Sequence, residues 1–416
     1  MAFDKLTVSI VIPSHNRSAS LKRLLNKLGE QSFPAQSMQV IVVADGCKDD
    51  TLSMLKNYQS SFALEYIELP GEGAAIARNK GAALAKGNLL LFIDDDIDPS
   101  KGLVEAHVNA HQNDHTVVIG YLPLAIPPKA GFFKLELRSW WEQKFQQMRM
   151  PGYRYNYEDL LSGNVSLGLK LFKQVQGFDT KLRCREDYEL GIRLIKSNAE
   201  FVFSHEAWGF HCDEVTDLER SLKRKREEGR ADVQFWHLHP DMTTFLQDAY
   251  LKNQYTFLQS KAVFFVINWP KITDAIVYCL QKLMKPLEAL RLRNQWSKIN
   301  HKLHIYWYLR GLLDELHTRK KLNEYLQYDP GNGSKKAELE IDLKHGITAA
   351  EEQLDKMRPA SVRLMLDEAL IGFIPAKPGT ERLRGVHLRA VLANELSTPF
   401  LKTMALEKLI KEPAEA

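Results

Sequence analysis

Three consecutive acids, Asp94-Asp95-Asp96, stand at the end of the apolar run Leu89-Leu90-Leu91-Phe92-Ile93. A short apolar run introduced by Lys86-Gly87 reads as a strand buried on both faces. In an open α/β sheet, ligands bind outside the carboxyl ends of the strands, where these acids fall. Like charges in a row repel, and either solvent or a divalent cation with oxygen ligands must offset them. A nucleoside diphosphate would need such a cation or arginines, together with acceptors for its base and ribose. Asp45 can accept from a base N–H, Asp94 from a ribose hydroxyl, and Asp96 can hold Mg²⁺ or Mn²⁺, with Arg78 near the phosphates. Taken singly, each has a plainer reading: Asp45 as a turn residue, Arg78 as a solvated helix charge.

The elements that must position these groups alternate in type. Thr7–Ile12 is rich in β-branched residues and ends at Pro13, a first strand, followed by the polar loop Ser14-His15-Asn16-Arg17-Ser18. Leu21, Leu24, Leu25 and Leu28 mark one face of a helix closed by Gly29. Gln39–Ala44 is a second strand, after which Asp49, Asp50 and Thr51 cap a helix carrying Leu52, Leu55 and Tyr58. Leu64–Leu69 is a third, and Gly71-Glu72-Gly73 opens an alanine-rich helix through Arg78 and Lys80 to near Gly87. This alternation predicts an α/β fold with a mostly parallel, twisted sheet covered on both faces. Its crevice gathers Pro13, His15, Asn16, Arg17, Asp45, Gly71–Gly73 and Asp94, Asp95, Asp96.

Farther on, Ser100–His111 reads as a helix and Thr116–Leu122 as a strand. Residues 123–157 break the pattern with Phe132, Phe133, Trp140, Trp141 and Phe145, either a helix docked on the sheet or a lid or acceptor platform beside the cleft. Ser162–Leu167 resumes as a strand, and Gly177-Phe178-Asp179 is a turn. A helix follows from Arg185, with Glu189 and Arg193 as an i, i+4 ion pair, before the short strand Phe201–Phe203.

At 416 residues several domains are expected: an α/β domain over 1–240, a basic helical subdomain over 241–328 and an accessory C-terminal α+β module over 335–416. Asp329–Ser334 has linker composition, Leu339–Leu343 reads as a strand, and Ala349–Met357 as a helix. A net charge of +4 over this length gives no reason to expect nucleic acid as a partner. Cys47, Cys184, Cys212 and Cys279 form no C-x-x-C pair, and Met1-Ala2-Phe3-Asp4 has no secretory character, so a cytoplasmic protein with reduced thiols is expected. No apolar run reaches the ~18 residues of a membrane-spanning helix. Ile272, Ala275, Ile276, Cys279, Leu280 and Leu283 form an apolar stripe, kinked or ended at Pro286 and surrounded by Lys271, Lys282, Lys285, Arg291 and Arg293. Residues 250–317 could therefore make a peripheral contact at the inner face of an anionic membrane, or pack as a helical subdomain on the sheet.

Gly71-x-Gly73 before a helix, with Asp94 downstream, imitates a dinucleotide-binding fingerprint. Ile76 occupies its third glycine position, however, and two strand–helix units precede it. The motifs instead resemble those of family 2 glycosyltransferases: Ser9–Arg17, Val43–Thr51, Gly73–Gly81, Phe92–Asp96, Gly163-Asn164-Val165-Ser166 with Gly177-Phe178-Asp179, and Arg185-Glu186-Asp187. The resemblance covers about residues 6–240 in the family's order. It implies a GT-A fold and inverting transfer of a sugar from a nucleoside-diphosphate donor, most commonly a UDP-sugar, to a saccharide, polysaccharide or lipid-linked acceptor. It further implies that Asp45 meets the base, Asp94 the ribose and Asp96 the cation, that His211 completes the metal or diphosphate site, and that Asp187 is the general base. An inverting transfer does need one carboxylate to take the acceptor's proton. A position in the first helical turn would favour an ionised Asp187. Glu186 would hold the site together, and Asp95 would be a spacer or supporting group. Cys47 departs from the serine common after Asp-Gly, and the arginine-tryptophan motif of processive synthases is missing around Ala231–Pro240. Transfer of single sugars is thus expected. The alternatives are a sugar nucleotidyltransferase, which would want a glycine-rich loop where Pro13–Arg17 has none, and a non-catalytic saccharide- or nucleotide-binding protein.

Overall fold

The computed structural model describes residues 7–213, 216–242, 247, 261–328 and 338–411. In chain order the first part runs β1 (Val8–Ser14), α1 (Ser18–Gly29), β2 (Met38–Asp45), α2 (Thr51–Asn57), β3 (Ala63–Leu69), α3 (Ala74–Ala83) and β4 (Leu89–Ile93). There follow β5 (Ile97–Pro99), α4 (Leu103–Ala110), β6 (Thr116–Gly120), α5 (Phe132–Met148), β7 (Asn164–Gly168), α6 (Leu169–Gln174), α7 (Glu186–Lys196), β8 (Glu200–Ser204), β9 (Gly209–His211) and α8 (Leu218–Leu238). The sheet order is β3-β2-β1-β4-β7-β6-β8. Only β7 runs antiparallel, to both β4 and β6. The α/β, mostly parallel architecture is the one expected.

β4 explains its own sequence. Leu90 and Phe92 enter the core on one face of the sheet, while Leu89, Leu91 and Ile93 enter the core on the other. A strand covered on both sides has no position left for a polar residue until the chain leaves the sheet at Asp94. On α1 the predicted stripe Leu21, Leu24, Leu25 and Leu28 is fully buried.

Several boundaries differ from expectation. α3 stops at Ala83 instead of near Gly87, because Gly87 N donates to Ser9 Oγ at 2.9 Å and draws the chain into the sheet. A Cβ on Gly87 would stand 2.8 Å from Ser9 N. β5 and β9, an antiparallel pair outside the main sheet, escape sequence reading because each is three residues long and β5 contains a proline. The apolar-stripe helix Pro270–Lys282 ends before Pro286, which lies within the next short helix, Met284–Ala289. The linker Asp329–Ser334 and residues 248–260 of the basic stretch lie outside the described residues.

α5 spans two cores. Phe145 is buried beside Tyr121 and Phe203, whereas Phe132 packs edge-on against Trp296 of the helix Arg293–Leu316. The docked-helix reading thus describes most of it, although Trp140 is left 51% exposed. The C-terminal strands β10 (Leu339–Asp342), β11 (Val362–Leu366) and β12 (Ala369–Ile374) form a separate small sheet. Its module covers the edge strand β8: Arg358 pairs with Glu200 at 2.8 Å, and Arg384 Nη2 donates to Phe201 O at 3.1 Å. Edge strands carry unpaired backbone groups, and Arg384 occupies one of them. Among the described residues no helix is long and apolar enough to cross a membrane.

α8 and Arg293–Leu316 cross at two glycines. A Cβ on Gly311 would lie 2.0 Å from Arg226 O, and one on Gly229 2.2 Å from Tyr308 O. Asp314 holds the same crossing through Arg226 at 2.7 Å and Arg230 at 2.6 Å. Backbone cannot yield as a side chain can, so Gly311→Ala should lower unfolding free energy by about 3 kcal/mol, the upper part of the usual overpacking range. Urea unfolding followed by circular dichroism measures this; an unchanged midpoint would mean the helices separate freely.

Candidate active site

The site forms where β1, β2 and β4 end beside α3 and α7. Asp94 leaves β4 with its N–H on Gly163 O at 3.2 Å. Arg78, projecting from α3 and only 4% exposed, donates to Asp94 Oδ1 at 2.8 Å and to Glu186 Oε1 at 3.1 Å. Burial opposes its charge, but Asp94 and then Glu186 outweigh that and raise its pKa. Arg78 is therefore neither a solvated helix charge nor a cation free to meet phosphates. It is a clamp between two elements.

Asp95 and Asp96 have separate environments. Asp95 is 5% exposed, accepts from Ser14 Oγ at 2.7 Å and pairs with Arg17 Nη1 at 3.0 Å. Burial, above all, pushes its carboxyl up to about 6. It supports the site from within and is no mere spacer. Asp96 shares Arg17 through Oδ2, and its Oδ1 lies 3.4 Å from His211 Nε2. Despite burial, His211 and then Arg17 hold Asp96 below the ordinary carboxylate range, and His211 is raised in turn against its own burial. The β5–β9 pairing brings these two together: Ile97 stands opposite His211, and Cys212 N donates to Asp96 O at 2.9 Å.

The loop after β1 closes the near side. His15 Nδ1 lies 2.5 Å from Asp45 O and its Nε2 2.9 Å from Asn16 Nδ2. Asn16 adopts φ +53°, a region asparagine tolerates, and accepts from Lys48 N at 2.6 Å. Pro13 is half-buried within β1. Asp45 differs from the sequence reading. Its carboxylate already accepts from Gly71, Glu72 and Gly73 N–H at 2.9, 2.7 and 2.7 Å. It shapes the glycine turn first, with about one lone pair left for any base.

A cleft of about 270 Å³ is lined by Asn16, Arg17, Ser18, Ala19, Ser20, Asp49, Asp96 and Cys212. The first turn of α1 opens into it, a favourable place for an anion. Among the described residues Arg17 is the sole cationic side chain of that lining, and Asp95 and Asp96 already pair with it. A diphosphate entering beside two carboxylates would thus need more positive charge. Asp96 Oδ1 is buried without a well-aligned hydrogen bond and lies 3.4 Å from an imidazole nitrogen. One carboxylate oxygen and one imidazole suit Mg²⁺ or Mn²⁺ whose remaining positions come from phosphate and water. Among the described residues no group of three or more candidate ligands exists, and Asp96 with His211 fits a cation shared with substrate.

Asp187 begins α7 beside Glu186 and keeps part of its surface open. The helix dipole does not dominate it as expected: burial, then Glu186, push its carboxyl up to about 6, against Arg224 and Arg78. Arg185, at φ +62°, gives the chain a left-handed turn immediately before this pair. It is held by Asp232 of α8 at 2.7 Å and stacks 4.8 Å from the Tyr188 ring. Tyr308 in turn donates to Asp232. Arg185 was legible only as part of the Arg185-Glu186-Asp187 motif, and Arg224, Asp232 and Tyr308 were missed because their sequence signals are those of ordinary helix charges and aromatics. His239 and His205 are structural: His239 Nε2 lies 3.0 Å from Glu189 Oε1, and His205 stacks on Tyr121.

Replacing Arg78 by methionine would leave Asp94 and Glu186 without their shared counter-charge. Arg78→Met should cost about 3–5 kcal/mol, as for other broken buried pairs. Denaturant titration tests this, and a loss below about 1 kcal/mol would class the bridge with exposed surface pairs.

The family model described as "Glycosyl transferase family 2" matches residues 9–175. Among curated relatives, the uncharacterized glycosyltransferase YfnE of Bacillus subtilis (strain 168) is 30% identical over 363 residues, covering 71% of this chain and 83% of that one. Validoxylamine A glucosyltransferase of Streptomyces hygroscopicus subsp. jinggangensis (strain 5008) is 30% identical over 236 residues, covering 49% of this chain and 55% of its own. The chain thus spans about half the length of that relative. Among solved structures, a mannosyltransferase from Pyrobaculum calidifontis in complex with GDP-Man and Mn²⁺ matches with a TM-score of 0.49 at 15% identity, covering 75% of this chain and 88% of that one.

Proposed function

We propose a function from one established premise: this chain belongs to glycosyl transferase family 2. The protein transfers a sugar, with inversion, from a nucleoside-diphosphate donor to a hydroxyl of a saccharide or lipid-linked acceptor. UDP-sugars are the first donors to test. The observation that carries the reading is the pairing of Asp96 with His211 at the cleft, beside an Asp187 linked to the same site through Glu186, Arg78 and Asp94. A curated relative named for glucosyl transfer to validoxylamine A supports a saccharide-like acceptor.

In this mechanism the donor's ribose lies against Asp94, and its diphosphate lies over Asp96 and the first turn of α1. Asp45 holds the Gly71–Gly73 turn in shape against the nucleoside. Asp96 and His211 would hold a divalent cation, which would offset charge developing on the departing diphosphate. Asp187 takes the acceptor hydroxyl's proton as the acceptor oxygen attacks the anomeric carbon opposite that leaving group. Arg78 keeps Glu186, and with it the start of α7, fixed relative to Asp94.

Purified protein with Mn²⁺ and a panel of nucleotide sugars should release nucleoside diphosphate. Asp96→Ala should abolish that release. Asp187→Asn should retain nucleotide binding in thermal shift yet lose about 10²–10⁴ in rate, the usual share of a general base. Activity that survived Asp96→Ala and EDTA would remove the metal role. Release of pyrophosphate from a nucleoside triphosphate would favour a nucleotidyltransferase instead, and binding without turnover a non-catalytic protein.

A second measurement follows from the raised carboxyl of Asp187. A base must be ionised to act, and a pKa raised to about 6 keeps it protonated in mild acid. Transfer should therefore fall about tenfold per pH unit below that value and level off above it. A rate independent of pH between about 5 and 7 would exclude Asp187 as the group that titrates.

A further inference from the structure

The helix Pro270–Lys282 has its polarity turned inside out. Its inward side is largely polar: Asp274 accepts from Tyr306 Oη at 2.5 Å, Thr273 Oγ1 lies 3.0 Å from the same oxygen, and Arg310 Nε donates to Asp274 at 3.1 Å. Val277 joins Met284 and Trp296 in the small core beneath. The apolar stripe faces outward instead, with Ile272 59%, Ile276 55%, Leu280 38% and Leu283 49% exposed. Leu290 extends the patch at 68%. A helix normally buries its apolar face, and contiguous exposed apolar surface marks an interaction site.

Charge indicates the partner. Lys271, Lys282, Lys285, Arg291 and Arg293 are exposed around the patch, and none has a carboxylate partner among the described residues. Lys282 lies 4.9 Å from the Tyr278 ring. The two acids of the stretch are engaged inward, Asp274 with Arg310 and Glu288 with Phe132 N. A second copy would set like charge against like charge, because a two-fold contact places the same patch on both sides. A bilayer with anionic headgroups accepts both features: acyl-chain boundary for the stripe and negative surface potential for the rim.

We propose that the outward face of Pro270–Lys282, continued to Leu290, docks this protein on an anionic membrane surface, the helix lying in the interface without crossing it. This stands apart from the transfer reaction, since vesicle binding is measured without turnover. The full chain should co-sediment with phosphatidylcholine vesicles containing phosphatidylglycerol, less so at high salt, and not with phosphatidylcholine alone. Ile276→Glu with Leu280→Glu should abolish sedimentation while leaving the thermal midpoint unchanged, because both side chains are exposed. Lys282→Gln with Lys285→Gln should weaken partitioning on the order of twentyfold, about fivefold for each basic residue lost. Failure to sediment with either vesicle would overturn the proposal, as would binding that both double variants retain or that ignores lipid charge. A dimer in light scattering that the glutamate variants dissociate, with no vesicle binding, would assign the face to a second copy.

Discussion

A buried arginine between two carboxylates governs this site. Arg78 comes from a helix following the third strand, Asp94 from the end of the fourth, and Glu186 from the helix that carries Asp187. A guanidinium at 4% exposure has no water to replace either partner, so the three groups must remain together or the fold loses heavily. The bridge therefore fixes Asp94 and the start of α7, which carries Asp187, in one frame. Bringing a base within hydrogen-bonding reach of an acceptor depends on such a frame more than on any single carboxylate.

The start of α7 is also tied outward. Arg185 takes a left-handed conformation that costs a non-glycine residue some energy, and such strain persists where surroundings enforce it. Here Asp232 and Glu228 of α8 enforce it, and Tyr308 from the helix Arg293–Leu316 braces Asp232. The glycine crossing at Gly229 and Gly311 sets how near those two helices approach. The helical region thus acts on the chemistry through geometry, by holding the turn that precedes Glu186 and Asp187.

How much of this could be read from sequence follows from the range of each signal. The strands β1 to β4 and the stripe of α1 were legible because period and burial are local properties, recorded in Leu21, Leu24, Leu25 and Leu28 themselves. The order of acids at strand ends was legible because topology sends parallel strand ends to one crevice. The partners were not. Nothing near Arg78 announces Glu186, and nothing near Asp45 announces that three backbone N–H groups would occupy its oxygens. The outward orientation of Ile272 and Ile276 was equally hidden. Periodicity identifies which residues share a face, while only packing against Tyr306 and Arg310 decides which way that face turns.

The same reasoning explains how three adjacent acids can do different things. Side chains that leave a strand in a turn diverge, so Asp94, Asp95 and Asp96 meet Arg78, Ser14 and His211 respectively. Burial with only part of its charge offset pushes Asp95 toward its neutral form, which lowers the repulsion the other two would feel. Arg17 then offsets Asp96 from one side, and Oδ1 is left without a well-aligned hydrogen bond, 3.4 Å from an imidazole nitrogen. A cation arriving there would compete with the proton that Asp96 favours on His211, so its hold should strengthen when a diphosphate adds oxygens of its own. Cation and donor would then bind most firmly together. That coupling would follow if the described residues supplied two ligands where the ion wants about six.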